Sequence, residues 1–344
     1  MKSLSKSTIS QVAKTAKVSI ATVSRVMNHR DLVKPETVEK VINAMKATGY
    51  EMNSFSETRT KSGGLIIVNI PSMDNPFYSE IIKGVKASTS RHGYHVLFNE
   101  DEITDSTFER LSYLIKDRSV TGMITLNFIP APLLSKLSSV VPLVQCCEYS
   151  EEFENIPYVA IDNFMAAKTV MDHLLSTGRR KIAFLSGPLR YKYARQRKDA
   201  YLKSLEYAGI ENNSNWIIHL PTINFDIALS AATQLLRSSN PPDAIFTVSD
   251  LCASAVIKAA RRLGISVPRD LIVTGFDNVD ISITTNPSIT TVNLPRFQLG
   301  YIASDFLVEL IENPSAVTQK MLLSTELIIR ESTSIEQTSA TLTI

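Results

Sequence analysis

From Leu65 onward the chain alternates short apolar runs with stretches of helical spacing, and no other feature of the sequence restricts the fold so much. Residues 65–70, L-I-I-V-N-I, form a nearly unbroken apolar run. Such a run suits a strand covered on both faces, because it offers water no polar side. Residues 78–92 read as a helix ended by Gly93, 94–98 as the next strand, 108–118 as a helix, and 122–126 and 143–147 as strands. The rhythm restarts with a strand at 159–161. It continues through 166–177, 182–186, 195–208, 216–219, 226–238, 244–248, 252–263 and 271–274. Alternation at this spacing predicts an α/β fold of two successive doubly wound parallel sheets, hence two lobes with a cleft between them.

The first sixty residues follow another pattern. Thr8 and Gln11 have capping-box spacing, and Ile9, Val12, Ala13 and Ala16 recur at helical intervals. The stripe stops at Lys17-Val18, and Ser19 is placed to cap a second helix whose inward side is Val23, Val26 and Met27. A third helix is marked by Pro35 at its start, Glu36 and Glu39 near its positive end and Gly49 beyond it, with Val38, Val41, Ile42 and Met45 facing inward. The result is a helix-turn-helix head whose second helix turns Ile20, Ala21, Thr22, Ser24 and Arg25 outward, a face able to enter a major groove.

Charge separates a DNA-binding head from a plain helical bundle. Residues 1–62 carry eleven Lys or Arg against five Asp or Glu, a net +6, while the remainder holds 25 against 29, a net −4. A nearly neutral chain of 344 residues therefore divides into a basic head and an acidic body, which suits phosphate contact by the head. No run of about eighteen apolar residues predicts a membrane span, and the N-terminus lacks the apolar core of a secretory signal, so cytoplasm is the expected compartment. Of the three cysteines, Cys146 and Cys147 are adjacent and Cys252 stands apart, giving neither a disulfide framework nor zinc spacing.

The stretch T-I-S-Q-V-A-K-T-A-K-V-S-I-A-T-V-S-R-V-M-N at 8–28 resembles the head of the lactose-repressor family of bacterial transcription regulators, most similar to its cytidine- and purine-repressor branch. N-P-F-Y-S-E-I-I-K-G at 75–84, V-A-I-D-N at 159–163, S-D-L-C-A-S-A at 249–255 and V-P-R-D-L-I-V-T-G-F-D-N at 267–278 resemble it too, in family order. The resemblance spans residues 7 to about 333. It implies a head at 7–52, a hinge at 53–64, a two-lobed core of the periplasmic-binding-protein type at 65–334, and a tail at 335–344. The N-lobe would comprise about 65–160 plus 294–322, and the C-lobe about 161–293 plus 323–334.

Residues 51–64 have linker composition, with Phe55 as the one large apolar residue and Gly63-Gly64 at the end. In the family this segment orders on DNA and wedges leucines into the minor groove. Here Met52 stands where proline is usual, and Arg59 stands at the wedging leucine. Arginine favours a narrow A·T-rich minor groove over a place between bases, so a smaller bend is expected if the hinge orders at all. Asn53, Phe55 and Arg59 are the hinge candidates for DNA contact. In the head, Ile20, Ala21 and Arg25 are the expected base readers, whereas Thr8, Ser19, Thr22, Ser24 and Asn28 suit phosphates. Ile20 and Ala21 can recognise thymine methyls but supply no side-chain hydrogen bond, which leaves discrimination largely to Arg25.

In open α/β sheets ligands bind beyond the carboxyl ends of strands. After the first strand come Asp74, Phe77 and Tyr78; the rings can stack on a planar or sugar-like ligand, or Tyr78 can belong to the core. Asp162 follows 159–161, and Ser249 and Asp250 follow 244–248; Asp250 is either a helix cap or a ligand contact. Asp277 follows 271–274, where it could instead stabilise a turn. Arg197 occupies the position of the family's effector-binding arginine, although Arg190, Lys192, Arg195 and Lys198 around it are also consistent with a solvated basic surface. The family's remaining contacts map onto Tyr191, Tyr193, Ile223 with Phe225 nearby, and Cys147. An Arg197/Asp277 pair would clamp vicinal hydroxyls. A nucleoside or sugar is the expected effector, and a sugar phosphate is admitted by the basic 190–198 loop.

The five histidines are scattered without metal-pair spacing, and there is no G-x-S-x-G, G-x-x-x-x-G-K-[ST] or G-x-G-x-x-G motif. Neither an enzyme nor a metal or cofactor is expected. A transporter's solute-binding protein shares the two-lobed form, but the basic head and missing signal argue against it. The expectation is a repressor that binds double-stranded operator DNA as a homodimer and answers to a small effector between its lobes. No heptad tail follows Ser332 to support a coiled-coil tetramer.

Overall fold

In a computed structural model the chain forms two compact units, Met1–Ser62 and Gly63–Ile344. The structure describes residues 9–19, 22, 23, 26, 33–48, 63–315 and 317–334.

The head's described helices are α1 (Ile9–Ala16) and α2 (Pro35–Ala47), and between them Thr22, Val23 and Val26 have helical backbone. Val12, Ala13, Ala16, Val23, Val26, Val41, Ala44 and Met45 close one small core. Lys17 turns the chain after α1 with φ +54°. The Ser19 side chain then accepts the Thr22 N–H at 3.0 Å and its carbonyl the Val23 N–H at 3.1 Å, the cap expected there. Pro35 opens α2, where its missing N–H costs nothing.

In the second unit β1 (Gly63–Asn69), β2 (Tyr94–Asn99), β3 (Val120–Thr125), β4 (Leu143–Cys146), β5 (Tyr158–Ile161) and β11 (Lys320–Leu323) form one six-stranded parallel sheet in the order β11-β5-β4-β3-β1-β2. The strand expected to open the second rhythm, at 159–161, thus belongs to the first sheet, paired with β4 and β11. A four-stranded parallel sheet follows, β7-β6-β8-β9, from β6 (Ile182–Ser186), β7 (Ile217–His219), β8 (Ala244–Thr247) and β9 (Ile272–Thr274). Beside β9, β10 (Thr291–Asn293) pairs antiparallel with β12 (Glu326–Ile328). The chain therefore passes between sheets after β5, after β10 and after β11.

Helices α3 (Phe77–Arg91), α4 (Asp105–Asp117), α5 (Ala131–Val140) and α11 (Arg296–Glu312) cover the first sheet. Helices α6 (Asn163–Ser176), α7 (Lys192–Tyr207), α8 (Phe225–Leu236), α9 (Asp250–Arg262) and the short α10 (Ile281–Thr284) belong to the second. Helices α5 and α11 were not expected from the sequence. At 17 residues α11 is the longest helix described, and Leu299, Gly300, Ala303, Ser304, Phe306, Leu307 and Val308 are buried on it, so burial reaches around it instead of marking one stripe. It crosses α3 backbone to backbone: a Cβ on Gly84 would strike the Phe297 carbonyl oxygen, and one on Gly300 the Ile81 carbonyl oxygen.

Candidate functional site: the cleft and the head

The carboxyl ends of both parallel sheets face one cavity of about 650 Å³, including its open mouth. From the first lobe it takes Asn75, Phe77, Tyr78, Leu126, Cys147, Glu148 and Ile161, and from the second Asn163, Tyr191, Tyr193, Arg197, Ile223, Val248, Ser249 and Asp277; Leu294 and Leu299 come from the crossing into α11.

Arg197, 5% exposed on the first half of α7, is held on three sides. Its Nε and Nη2 donate to Asn163 Oδ1 at 3.0 and 2.8 Å, and Nη1 donates to the Val248 carbonyl at 2.8 Å. Its guanidinium lies 3.4 Å from the centre of the Phe276 ring and 5.0 Å from that of Tyr193. Burial lowers its pKa, opposed chiefly by Asp277. Two of the five guanidinium N–H groups remain for a ligand.

Asp277, just beyond β9, has φ +99° and is 9% exposed. Its N–H donates to the Val292 carbonyl at 3.0 Å, whereas among the described residues its carboxylate accepts no hydrogen bond and makes no ion pair within 4 Å. Burial pushes its pKa up to about 6, while Arg197 and Arg296 pull it down. An acceptor with no protein donor beside a guanidinium with spare donors is a receptor for hydroxyl groups. The aromatic walls stand on opposite lobes. Phe77 and Tyr78 meet edge to face at 5.0 Å, and Tyr191 and Tyr193 stack at 5.5 Å with 23° between planes. Burial holds the Tyr78 phenol well above its ordinary range, so it is a neutral hydrogen-bonding group.

Four residues expected at the site lie elsewhere. Asp162 is exposed and caps α6, accepting the Met165 N–H at 2.9 Å; its neighbour Asn163 faces the cavity instead. Asp250 is fully buried and neither caps its helix nor lines the cavity. The cap is Ser249, which accepts the Cys252 N–H at 3.2 Å. Asp250 Oδ2 accepts the Val279 N–H at 2.8 Å and Oδ1 the Thr291 hydroxyl at 2.6 Å, and Gly275 leaves the room, since a Cβ there would strike Oδ1. Asp250 therefore pins the loop that carries Asp277. Asp74 is exposed, and with Phe225 it lines only the outer vestibule; Phe225 otherwise packs on the second lobe's core.

Glu148 was missed, because nothing near it in sequence marks it. It is 6% exposed, and its pKa rises with burial to about 7. It accepts the backbone N–H of Lys192, and of Tyr193 too, at the start of α7, whose own N-cap residue Tyr191 supplies no side-chain bond. Three of the surrounding basic side chains are spent in the same way, on the other lobe or on the loop itself. Arg190 pairs with Glu102 at 3.1 Å, Lys192 with Glu151 at 2.7 Å, and Arg195 donates to the Leu189 and Arg190 carbonyls.

Among the DNA candidates, Ser19 is exposed, Thr22 is half-buried, and their hydroxyls are 2.8 Å apart. Thr8, Ile20, Ala21, Ser24, Arg25, Asn28, Asn53, Phe55 and Arg59 lie outside the described residues.

Residues 8–53 match the family described as bacterial regulatory proteins, lacI family, and residues 171–333 match the periplasmic binding protein-like domain. The ribose operon repressor of Halalkalibacterium halodurans is 34% identical over 329 residues, covering 95% of this chain and 97% of the relative. The chain belongs to the lacI family of bacterial regulatory proteins. It is thus a DNA-binding transcription regulator and not an enzyme. The transcriptional repressor CytR of Escherichia coli is 31% identical, with 95% of this chain and 96% of the relative covered. Among solved structures, a CelR–cellobiose complex of a transcriptional regulator is 28% identical with a TM-score of 0.72, covering 95% of this lacI-family chain and all of that one. Among the described residues no helix is long and apolar enough to cross a membrane.

Proposed function

We propose that this lacI-family regulator represses transcription as a homodimer on a pseudo-palindromic operator, in the cytoplasm, and is controlled by an uncharged sugar or nucleoside bound between its lobes. The observation that carries the effector reading is an Asp277 carboxylate with no hydrogen-bond donor among the described residues, lining the same cavity as a pinned Arg197 guanidinium, between two aromatic platforms. Vicinal hydroxyls donate to the first and accept from the second, while a ring stacks on either platform. The names of two relatives agree with the chemistry: one is a ribose operon repressor and another was solved with cellobiose. A sugar phosphate fits less well. Arg190 and Lys192 are already paired with carboxylates, Arg195 is spent on backbone carbonyls, and two carboxyl groups, Asp277 and Glu148, line the cavity against the one guanidinium of Arg197.

On the DNA side, Ile20, Ala21 and Arg25 are proposed as base readers, with Thr8, Ser19, Thr22, Ser24 and Asn28 on phosphates and Asn53, Phe55 and Arg59 in the hinge. One experiment addresses both halves: a gel-shift titration on DNA upstream of the adjacent genes, with and without a panel of sugars, nucleosides and sugar phosphates. Sequence-selective binding altered by an uncharged member supports the proposal. Equal, purely ionic affinity for every DNA overturns the operator half, and a response restricted to phosphate esters overturns the effector half. Arg25→Ala is expected to lose operator preference worth about 1–3 kcal/mol while retaining salt-sensitive nonspecific binding.

A further inference from the structure

Strand β4 ends on two consecutive free thiols whose sulfurs lie 3.7 Å apart. Two bonds of about 2.3 Å to a single soft centre span up to about 4.6 Å, so both sulfurs are within reach of one such atom and a small side-chain rotation sets the angle. Cys147 is half-buried, has φ +68° and lines the cavity. Cys146 is closed to solvent, and its sulfur also meets the Leu299 carbonyl at 3.7 Å, so a reagent reaches the pair by way of the cavity and Cys147. The hydrogen bond from Cys146 and burial keep the Cys147 thiol well above its ordinary pKa, which makes it a poor target for peroxide. Among the described residues no three His, Cys, Asp or Glu side chains are grouped to hold a metal ion. What the pair can satisfy is a thiophile that needs only two protein ligands.

We propose that Cys146 and Cys147 form a dithiol site for a trivalent arsenical, entered through the interlobe cavity. An arsenoxide, R–As=O, condenses with the two thiols: an As–S bond forms to each sulfur, the As=O bond and both S–H bonds break, and the oxygen leaves as water with the two thiol protons. Arsenic stays trivalent and no electrons are transferred. Its third bond is to its own carbon, so no further protein ligand is required, and the apolar Leu126, Ile161 and Leu299 of the lining suit an aryl group. The second sulfur closes a ring intramolecularly, which is why the pair outbinds any single thiol.

The test treats the full-length protein with phenylarsine oxide and reads intact mass and free-thiol count. The expected result is one arsenical per chain and a fall from three free thiols to one. A small dithiol such as 2,3-dimercaptopropanol should reverse the change, whereas equimolar 2-mercaptoethanol should not. Cys252→Ser should still take up one equivalent, and Cys147→Ser, with an unchanged melting curve, none. Uptake by Cys147→Ser equal to wild type, or labelling of wild type only after denaturation, would overturn the proposal. Labelling requires no effector, so its failure leaves the effector reading standing, and an unresponsive effector panel leaves the dithiol site standing.

Discussion

Replacing Asp250 should separate a buried polar pin from a ligand contact. Asp250→Ala removes the acceptor of the Val279 N–H and the partner of the Thr291 hydroxyl, both buried. At about 1–3 kcal/mol for each abandoned group, the loss is about 2–6 kcal/mol. Asp250→Asn keeps both contacts, because the amide oxygen accepts from Val279 and its N–H₂ donates to the Thr291 oxygen. The two variants also differ from wild type in pH dependence. Burial raises the Asp250 pKa to about 8 from 3.8. Between those values the folded chain holds a proton that the unfolded chain has released, so stability is full below about pH 4 and falls as pH rises through about 8. The slope is about 1.4 kcal/mol per pH unit, or about 2–3 kcal/mol from pH 6 to pH 8. Glu148, raised to about 7, titrates in wild type and Asp250→Asn alike and cancels in the comparison; the Asp277 carboxylate helps to raise Asp250, so the difference reports the two buried carboxyls as a coupled pair. Urea denaturation of wild type and Asp250→Asn at both pH values measures the difference. If wild type shows no extra loss on going to pH 8, or if Asp250→Ala is as stable as Asp250→Asn, the pin is misread.

Asp277→Asn should weaken an effector found in the panel about tenfold or more by calorimetry, as losing a charge-assisted acceptor costs about 1–3 kcal/mol; wild-type affinity should fall as pH drops through about 6. Arg197→Lys should abolish the response while the protein still binds operator, because an ammonium cannot reach Asn163 and Val248 together; an unaltered response in gel shift would count against the clamp. Arg190→Ala breaks a half-exposed pair with Glu102 and should shift the melting temperature little, at about 0–1 kcal/mol, and a large shift would mean that the clasp carries more than surface electrostatics allow.

The parallel strands were legible because residues buried on both faces leave continuous apolar runs, as at Ile66–Val68. Helix α11 was not, since a helix buried around most of its circumference has lost the one-sided pattern that identifies it. The same physics explains the site. Arg197 and Asp277 could be placed because each follows a strand in a known family order, but neighbouring positions beyond a strand divide their roles between capping and cavity. Asp162 and Asn163 divide them one way, Ser249 and Asp250 another, and composition does not say which residue turns inward. Glu148 answers to an acceptor-starved helix end 44 residues later, a relation that exists only after folding.

That relation bears on how the cleft works. The start of α7, where the N-cap Tyr191 and Tyr193 of the first turn make one platform, has its amide ends completed by a carboxylate rooted across the gap. Parting the two halves strips that turn of its acceptor, so they do not swing as finished rigid bodies. Aperture and stacking surface are thereby linked through Glu148, and a ligand that binds those rings better in the joined arrangement would favour it by that difference in affinity.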